Sequence, residues 1–331
     1  MPVVVIDMAE KAKALQIVEP GRFEIVEMPM PKPAEDEVLI EVLACSTCTN
    51  WELCMWQGRD IFARPGQPQY PLNPGAPGHE AVGRVVECGP AVQTLKPGDY
   101  VAVKPRSRGP ENDAHSTHIV RCADQVARVD ESVPPEQAAP LEMVMCALRS
   151  VELAGDLKGQ VAVIVGLGPA GILHLQAARI AGAEMVIGVE PLESRREVAA
   201  QFADAVLAPD DRALRELVGR HPRRVVFECS GAAAAMETAI ELAADRVHVF
   251  GVPDGKWVYG QRAWLSGAAI VPYHWRGRRQ ADVLQRAARL LAAGQIKTQP
   301  LVSAVMSYER YGEAMEMLQR REALKIVFRW Q

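Results

Sequence analysis

The chain of 331 residues has no apolar run long enough to cross a bilayer, and none shaped like the core of a secretory signal. Its opening "PVVVIDM" is too short and contains an acid. A basic excess is also missing: 37 Lys and Arg stand against 41 Asp and Glu, a formal net charge of −4. Nucleic acid and anionic membrane surfaces call for a basic stripe, so neither is an expected partner. The arginine-rich piece "HWRGRRQ" (274–280) is short and reads as a solvated helix start. Cysteine is scarce, with seven residues scattered at 45, 48, 54, 88, 122, 146 and 229. An odd, scattered set excludes a disulfide framework and reads as reduced thiols, mostly small buried hydrophobes. These absences together point to the cytoplasm. No internal repeat and no low-complexity tract is present.

The length suits two domains rather than one core. Residues before about 150 are rich in Pro, Gly and short valine runs. "EVLIEVLAC", "AVGRVVECG" and "DYVAVKP" read as strands between turn signals such as "LKPGD". Helical signals are sparse until "PPEQAAPLEMVMCALRSVELAG". From about 156 the pattern changes. "QVAVIVG", "MVIGVE", "RVVFECSG" and "RVHVFGV" are apolar strands alternating with helical stretches. That spacing predicts a parallel sheet covered on both faces.

The turn after the first of these strands is "GLGPAG", with Gly166, Gly168 and Gly171 as G-x-G-x-x-G. Alone the motif is weak; between a strand and a helix it is a dinucleotide fingerprint. Gly166 permits the tight turn, Gly168 lets backbone approach a pyrophosphate, and Gly171 lets helix and strand pack closely. Pro169 and Ala170 open the helix, whose free N–H groups face the phosphates. Glu190, after "VIGV", is placed to accept from a ribose 2′-hydroxyl and repel a 2′-phosphate, which favours NAD. Arg195 and Arg196 just beyond leave NADP open.

"GAPGHEAVGRVVECG" (75–89) sets His79 beside Glu80 among glycines and valines. Such a histidine is either a hydrogen-bonded core residue or a ligand. A hydride acceptor needs a partner that polarises an alcohol or carbonyl, which zinc does as a Lewis acid.

"VLIEVLACSTC", "GAPGHEAVGRVVECG", "KPGDYVAV" and "VIVGLGPAGILHLQAAR", in that order, resemble the zinc-dependent medium-chain dehydrogenase/reductase superfamily. The likeness covers nearly the whole chain, through the closing "KIVFRW", and Gly78-His79-Glu80 with Gly83 is its most specific block. It implies an α/β protein: a GroES-like β-rich catalytic domain from residues 1–153 and 296–331, and a Rossmann NAD(P)-binding domain with a doubly wound parallel sheet from 154–295. It places the zinc-binding cysteine at Cys48, with Cys45 as the alternative. Its polyol and threonine dehydrogenase branch carries a glutamate opening a helix, and "EMVMCALRSV" puts Glu142 there. The implied zinc set is Cys48, His79, Glu80 and Glu142. The implied reaction is hydride transfer between a small-molecule secondary alcohol (polyol, cyclitol or amino-alcohol) and NAD(P), by a homodimer or homotetramer.

Two departures from the pattern bear on mechanism. The family's hydroxyl and acid after the cysteine are replaced by Thr49, Asn50 and Trp51, so the proton relay does not carry over. Thr49 or Asn50 is left to orient the substrate oxygen, and Glu80 or Glu142 to take its proton. Also, no cysteine lies between Cys88 and Cys122, which excludes a structural Cys₄ zinc. His115 and His118 form a close pair there, read as part of a segment leading into a strand. Trp51, Trp56, Arg59 and Tyr70 fall where the family lines its cleft, and Arg59, Arg106 or Arg149 are candidates to hold an acidic group. The rivals are a zinc-free quinone or enone reductase of the same superfamily, and a nucleotide-binding protein without catalysis.

Overall fold

The computed structural model describes residues 11–62, 64–105, 112–253, 255–257, 260–273 and 280–330. Arg106 and residues 274–279 of the arginine-rich piece lie outside them. The chain forms two compact units, Met1–Glu142 with Val302–Gln331, and Met143–Leu301. Among the described residues no helix is long and apolar enough to cross a membrane, and none of the seven cysteines is in a disulfide.

The first unit opens with a hairpin, β1 (Lys11–Glu19) and β2 (Arg22–Pro29). Then come β3 (Glu37–Ser46), α1 (Thr49–Trp56), β4 (Glu80–Cys88), β5 (Tyr100–Val103), β6 (His118–Cys122), β7 (Val126–Arg128) and the single turn α2 (Pro135–Ala138). Helix α3 (Leu141–Leu153) starts in this unit and ends in the next.

The second unit runs β8 (Val161–Val165), α4 (Pro169–Ile180), β9 (Met185–Val189), α5 (Glu193–Ala199), β10 (Ala205–Leu207), α6 (Arg212–Gly219), β11 (Arg224–Glu228), α7 (Ala233–Leu242), β12 (Arg246–Val249), α8 (Gln261–Ser266), β13 (Ala269–Pro272) and α9 (Gln280–Ala292). The chain then returns to the first unit with β14 (Val302–Ser307), α10 (Tyr311–Gln319) and β15 (Lys325–Arg329).

In the second unit six parallel strands lie in the order β10-β9-β8-β11-β12-β13. All five residues of β8 are buried, as expected of a strand covered on both faces. The order reverses between β8 and β11, and in such sheets ligands bind beyond the strand ends at that point.

The first unit is built on a seven-stranded sheet, β14-β15-β3-β4-β5-β7, with β6 also pairing β3. Valine and isoleucine alternate into its core at Val38, Ile40, Val42, Val85, Val101 and Ile119. A second cluster holds Leu15, Ile17, Tyr308, Tyr311 and Phe328. Strand β3 is central: β4 and β15 both run antiparallel to it. A register shift between Val42 and Ala44 leaves Ser46 opposite Glu80 on one side and Val327 on the other. The end of β3, the start of β4 and the start of β15 thus meet at one place.

Candidate active site

Cys48 is two residues past the end of β3, and His79 one residue before β4. The β3–β4 register therefore brings them together although they are 31 positions apart. The ligand atoms of Cys48, His79 and Glu80 all lie within 4.8 Å of one another. Cys45, the alternative cysteine, lies in β3 and is fully buried beside His115. Cys48 is the N-cap of α1 but makes no side-chain cap bond, which leaves its sulfur to the site.

His79 is 6% exposed, and its Nδ1 is 2.9 Å from the Pro77 carbonyl. That carbonyl can only accept, so Nδ1 carries the proton and Nε2 is the nitrogen left for a cation. Burial works against a charged ring. The Cys48 sulfur, Glu142 and Glu80 outweigh it and raise the His79 pKa well above its ordinary value. The surroundings that raise it favour positive charge at this point. A soft thiolate, an imidazole and carboxylates form a donor set suited to zinc.

Glu80 is fully buried and heavily used. Lys325 Nζ donates to its Oε1 at 2.8 Å and its Oε2 at 2.6 Å, and Ser46 Oγ donates to Oε2 at 2.5 Å. Lys325 also donates to the Thr47 carbonyl at 2.6 Å. Three of about four lone-pair directions on the carboxylate are therefore taken. Glu142, in the first turn of α3, is 7% exposed and acts on His79 through its charge.

The Thr49 hydroxyl donates to the Leu324 carbonyl at 2.8 Å, which ties α1 to the segment before β15. Asn50 Oδ1 accepts from the Cys54 thiol at 3.8 Å. Trp51, where the family carries an acid, lays its ring 5.3 Å from the His79 ring and 5.3 Å from Phe62. Trp56 packs instead on Phe23 and Tyr311, and the Tyr70 hydroxyl donates to the Met55 carbonyl, so these two lie half-buried against the core of this unit. Arg149 pairs with Glu152 at 3.6 Å, and Arg59 donates to Gln57 at 3.0 Å.

In the second unit the glycine turn has the geometry its sequence asks for. Gly166 has φ +88°. A Cβ on Gly171 would lie 1.9 Å from the Gly166 carbonyl oxygen, whereas one on Gly168 would meet nothing nearer than Arg195 at 3.9 Å. The space over Gly168 is thus an open cradle at the N-terminus of α4, where Pro169 occupies the first turn with Ala170 beside it. Glu190 accepts from the Leu167 N–H at 2.7 Å and the Leu192 N–H at 3.1 Å, so its carboxylate is fixed beside the turn.

Residues 34–129 match the alcohol dehydrogenase GroES-like domain family, and residues 169–293 the zinc-binding dehydrogenase family. L-threonine 3-dehydrogenase of Pyrococcus horikoshii is 30% identical over an aligned length of 352 residues, covering 97% of this chain and 99% of that protein. The chain belongs to the zinc-dependent medium-chain dehydrogenase/reductase superfamily. Sorbitol dehydrogenase of Ovis aries is 26% identical to this dehydrogenase, covering 94% of each chain. The crystal structure of galactitol-1-phosphate dehydrogenase from Escherichia coli superposes with a TM-score of 0.82 at 19% identity, over 96% of this chain and 100% of that one. With threonine and polyol dehydrogenases among its relatives, the protein is an NAD(P)-dependent dehydrogenase acting on CH–OH groups.

The missed residues are Lys325, Ser46 and the Pro77 carbonyl. Lys325 is 245 positions from Glu80, and only the pairing of β15 with β3 joins them. A lysine inside the apolar run "LKIVF" was the one available signal.

Proposed function

We propose that this dehydrogenase oxidises a secondary alcohol of the polyol, cyclitol or amino-alcohol type, with NAD as hydride acceptor and one zinc ion. Cys48 and His79 hold the metal, Glu80 is a third donor fixed by Lys325, and Glu142 completes the set or takes up the alcohol proton. When bound, zinc acts as a Lewis acid that lowers the pKa of the alcohol, and the nicotinamide accepts hydride. The observation that carries this reading is the meeting of Cys48, His79 and Glu80 within 4.8 Å. The names of the relatives, a threonine and a sorbitol dehydrogenase, support the substrate class.

The chain's own groups set the rest. The Thr49 hydroxyl is engaged by Leu324, and Glu80 by Lys325 and Ser46, so proton removal is assigned to Glu142. Trp51 walls one side of His79 with an apolar face and limits water there. Glu190 beside the glycine turn favours a free ribose 2′-hydroxyl.

The test is metal content together with turnover. The purified protein is assayed against secondary alcohols, cyclitols and amino-alcohols with NAD and NADP, with and without a chelator. The expected result is about one zinc per chain, chelator-sensitive oxidation and preference for NAD. His79→Gln is expected to lose the ion and about 10³-fold in kcat, the value of several kcal/mol of charge stabilisation. Full turnover by a metal-free protein would overturn the reading in favour of a zinc-free reductase.

A further inference from the structure

Behind Cys48 lies a second group of polar side chains, Glu52, His115, Tyr308 and Tyr311, all fully buried. His115 Nε2 is 3.0 Å from Glu52 Oε1, and His115 Nδ1 is 3.1 Å from the Tyr308 hydroxyl. The Tyr311 hydroxyl donates to Glu52 Oε2 at 3.4 Å. Burial opposes charge on His115, but the Cys45 sulfur and the Glu52 carboxylate push its pKa up to about 10. The two side chains thus form a buried pair, 3.0 Å apart and with no exposure at either end.

A buried pair of polar, ionisable side chains is a poor way to gain stability, since apolar residues of similar volume do as well or better. Its presence is explained by what it touches. Glu52 Oε1 also accepts from the Cys48 backbone N–H at 3.2 Å. An N-cap residue ordinarily turns its own side chain back onto its helix. Cys48 does not, and Glu52 reaches back one turn to hold the Cys48 main chain instead.

We propose that Glu52, His115, Tyr308 and Tyr311 are positioning residues that fix Cys48 against His79, so that its sulfur is free for the metal without slack in the chain. The inference rests on the zinc reading for its metal-bound consequences, but the positioning itself is also readable in metal-free protein.

The test compares wild type, E52L/H115F and E52Q. The double variant replaces the buried polar pair with apolar side chains and is expected to keep the thermal midpoint while losing the acceptor for the Cys48 N–H. Zinc affinity, by chelator competition, is expected to fall about 10- to 100-fold, the usual effect of removing a support behind a ligand. In the cobalt(II)-loaded protein the near-ultraviolet thiolate-to-metal band is expected to weaken or shift. E52Q keeps an oxygen acceptor for the Cys48 N–H and is expected to recover most of the affinity and the band. Should E52L/H115F not fold, Tyr308→Phe carries the same readouts, with an expected loss of about two- to tenfold from one deleted hydrogen bond.

Variants that fold normally and keep wild-type affinity and cobalt spectrum would overturn the proposal while leaving the zinc reading intact. A wild-type protein that binds no metal would sink the zinc reading instead. Positioning is then judged by iodoacetamide alkylation of Cys48: a changed rate in E52L/H115F with a wild-type rate in E52Q supports it, and equal rates in all three refute it.

Discussion

Lys325 is 1% exposed in its side chain and lies between a carboxylate and a carbonyl, which is where a lysine can be buried at tolerable cost. Removing its charge leaves the buried Glu80 carboxylate without the ammonium that donates to both of its oxygens. Lys325→Met is expected to destabilise the protein by roughly 3–5 kcal/mol, read from urea unfolding, whereas Lys325→Arg retains most of the stability. If Lys325→Met unfolded at the wild-type midpoint, the Glu80 carboxylate would not depend on this partner. At the residue scale the sequence revealed His79 and Glu80 only through a motif. It could not reveal that Glu80 is shared between Lys325 and Ser46, because nothing local in "GHEAVG" encodes residue 325.

The glycine turn between β8 and α4 is the element in which each position has a separable job. Gly168→Ala is expected to fold normally, since its Cβ would meet only Arg195 at 3.9 Å. It should weaken NAD binding by about tenfold or more, measured by titration, because a methyl group fills the phosphate cradle. Gly171→Ala is expected to lower the thermal midpoint as well, because its Cβ would lie 1.9 Å from a backbone oxygen that cannot move aside cheaply. Equal behaviour of the two variants would contradict this division of roles. This element was legible in advance because all of its determinants lie within a few residues. Helix α1 was not. The residues packed behind it come from elsewhere: His115, in the segment that leads into β6 as its sequence indicated, is fully buried against Glu52, while His118 lies beside Thr117. His115 is 63 positions from Glu52 and Tyr311 is 259, so nothing local to α1 signals what it packs against.

Across the molecule the two units carry buried histidines with opposite pH behaviour. In the second unit His174 is fully buried, bonded to the Ala170 carbonyl at 2.8 Å, with Phe250 at 4.6 Å. Burial lowers its pKa to about 4, and the bond to Ala170 recovers only part of that. A pKa below the unfolded value means stability is present above pH 6.5 and lost as pH falls toward 4, by roughly 3 kcal/mol in total. In the first unit His115, raised to about 10, works the other way. Its contribution is complete below pH 6.5 and is lost as pH rises toward 10, by roughly 3–5 kcal/mol. Hydrogen exchange followed in β8 and β11, and separately in β3 and β15, is expected to show the second unit loosening in acid and the first in alkali. His174→Leu should flatten the acid limb alone. A common pH profile for both units would refute the assignment.

Periodicity, glycine spacing and the alternation of strand and helix were enough to determine an α/β chain with a nucleotide turn at 166–171, because each depends on neighbours in sequence. The motif around His79 likewise marked one end of the proposed metal centre. The pairing register of β3 with β4 and β15 decided the rest. It brought Cys48, His79, Glu80 and Lys325 to one point, and the packing behind α1 set His115 against Glu52. Those contacts join residues up to 245 positions apart. Their energies come from burial and ion pairing, which exist only once the sheet has closed around them.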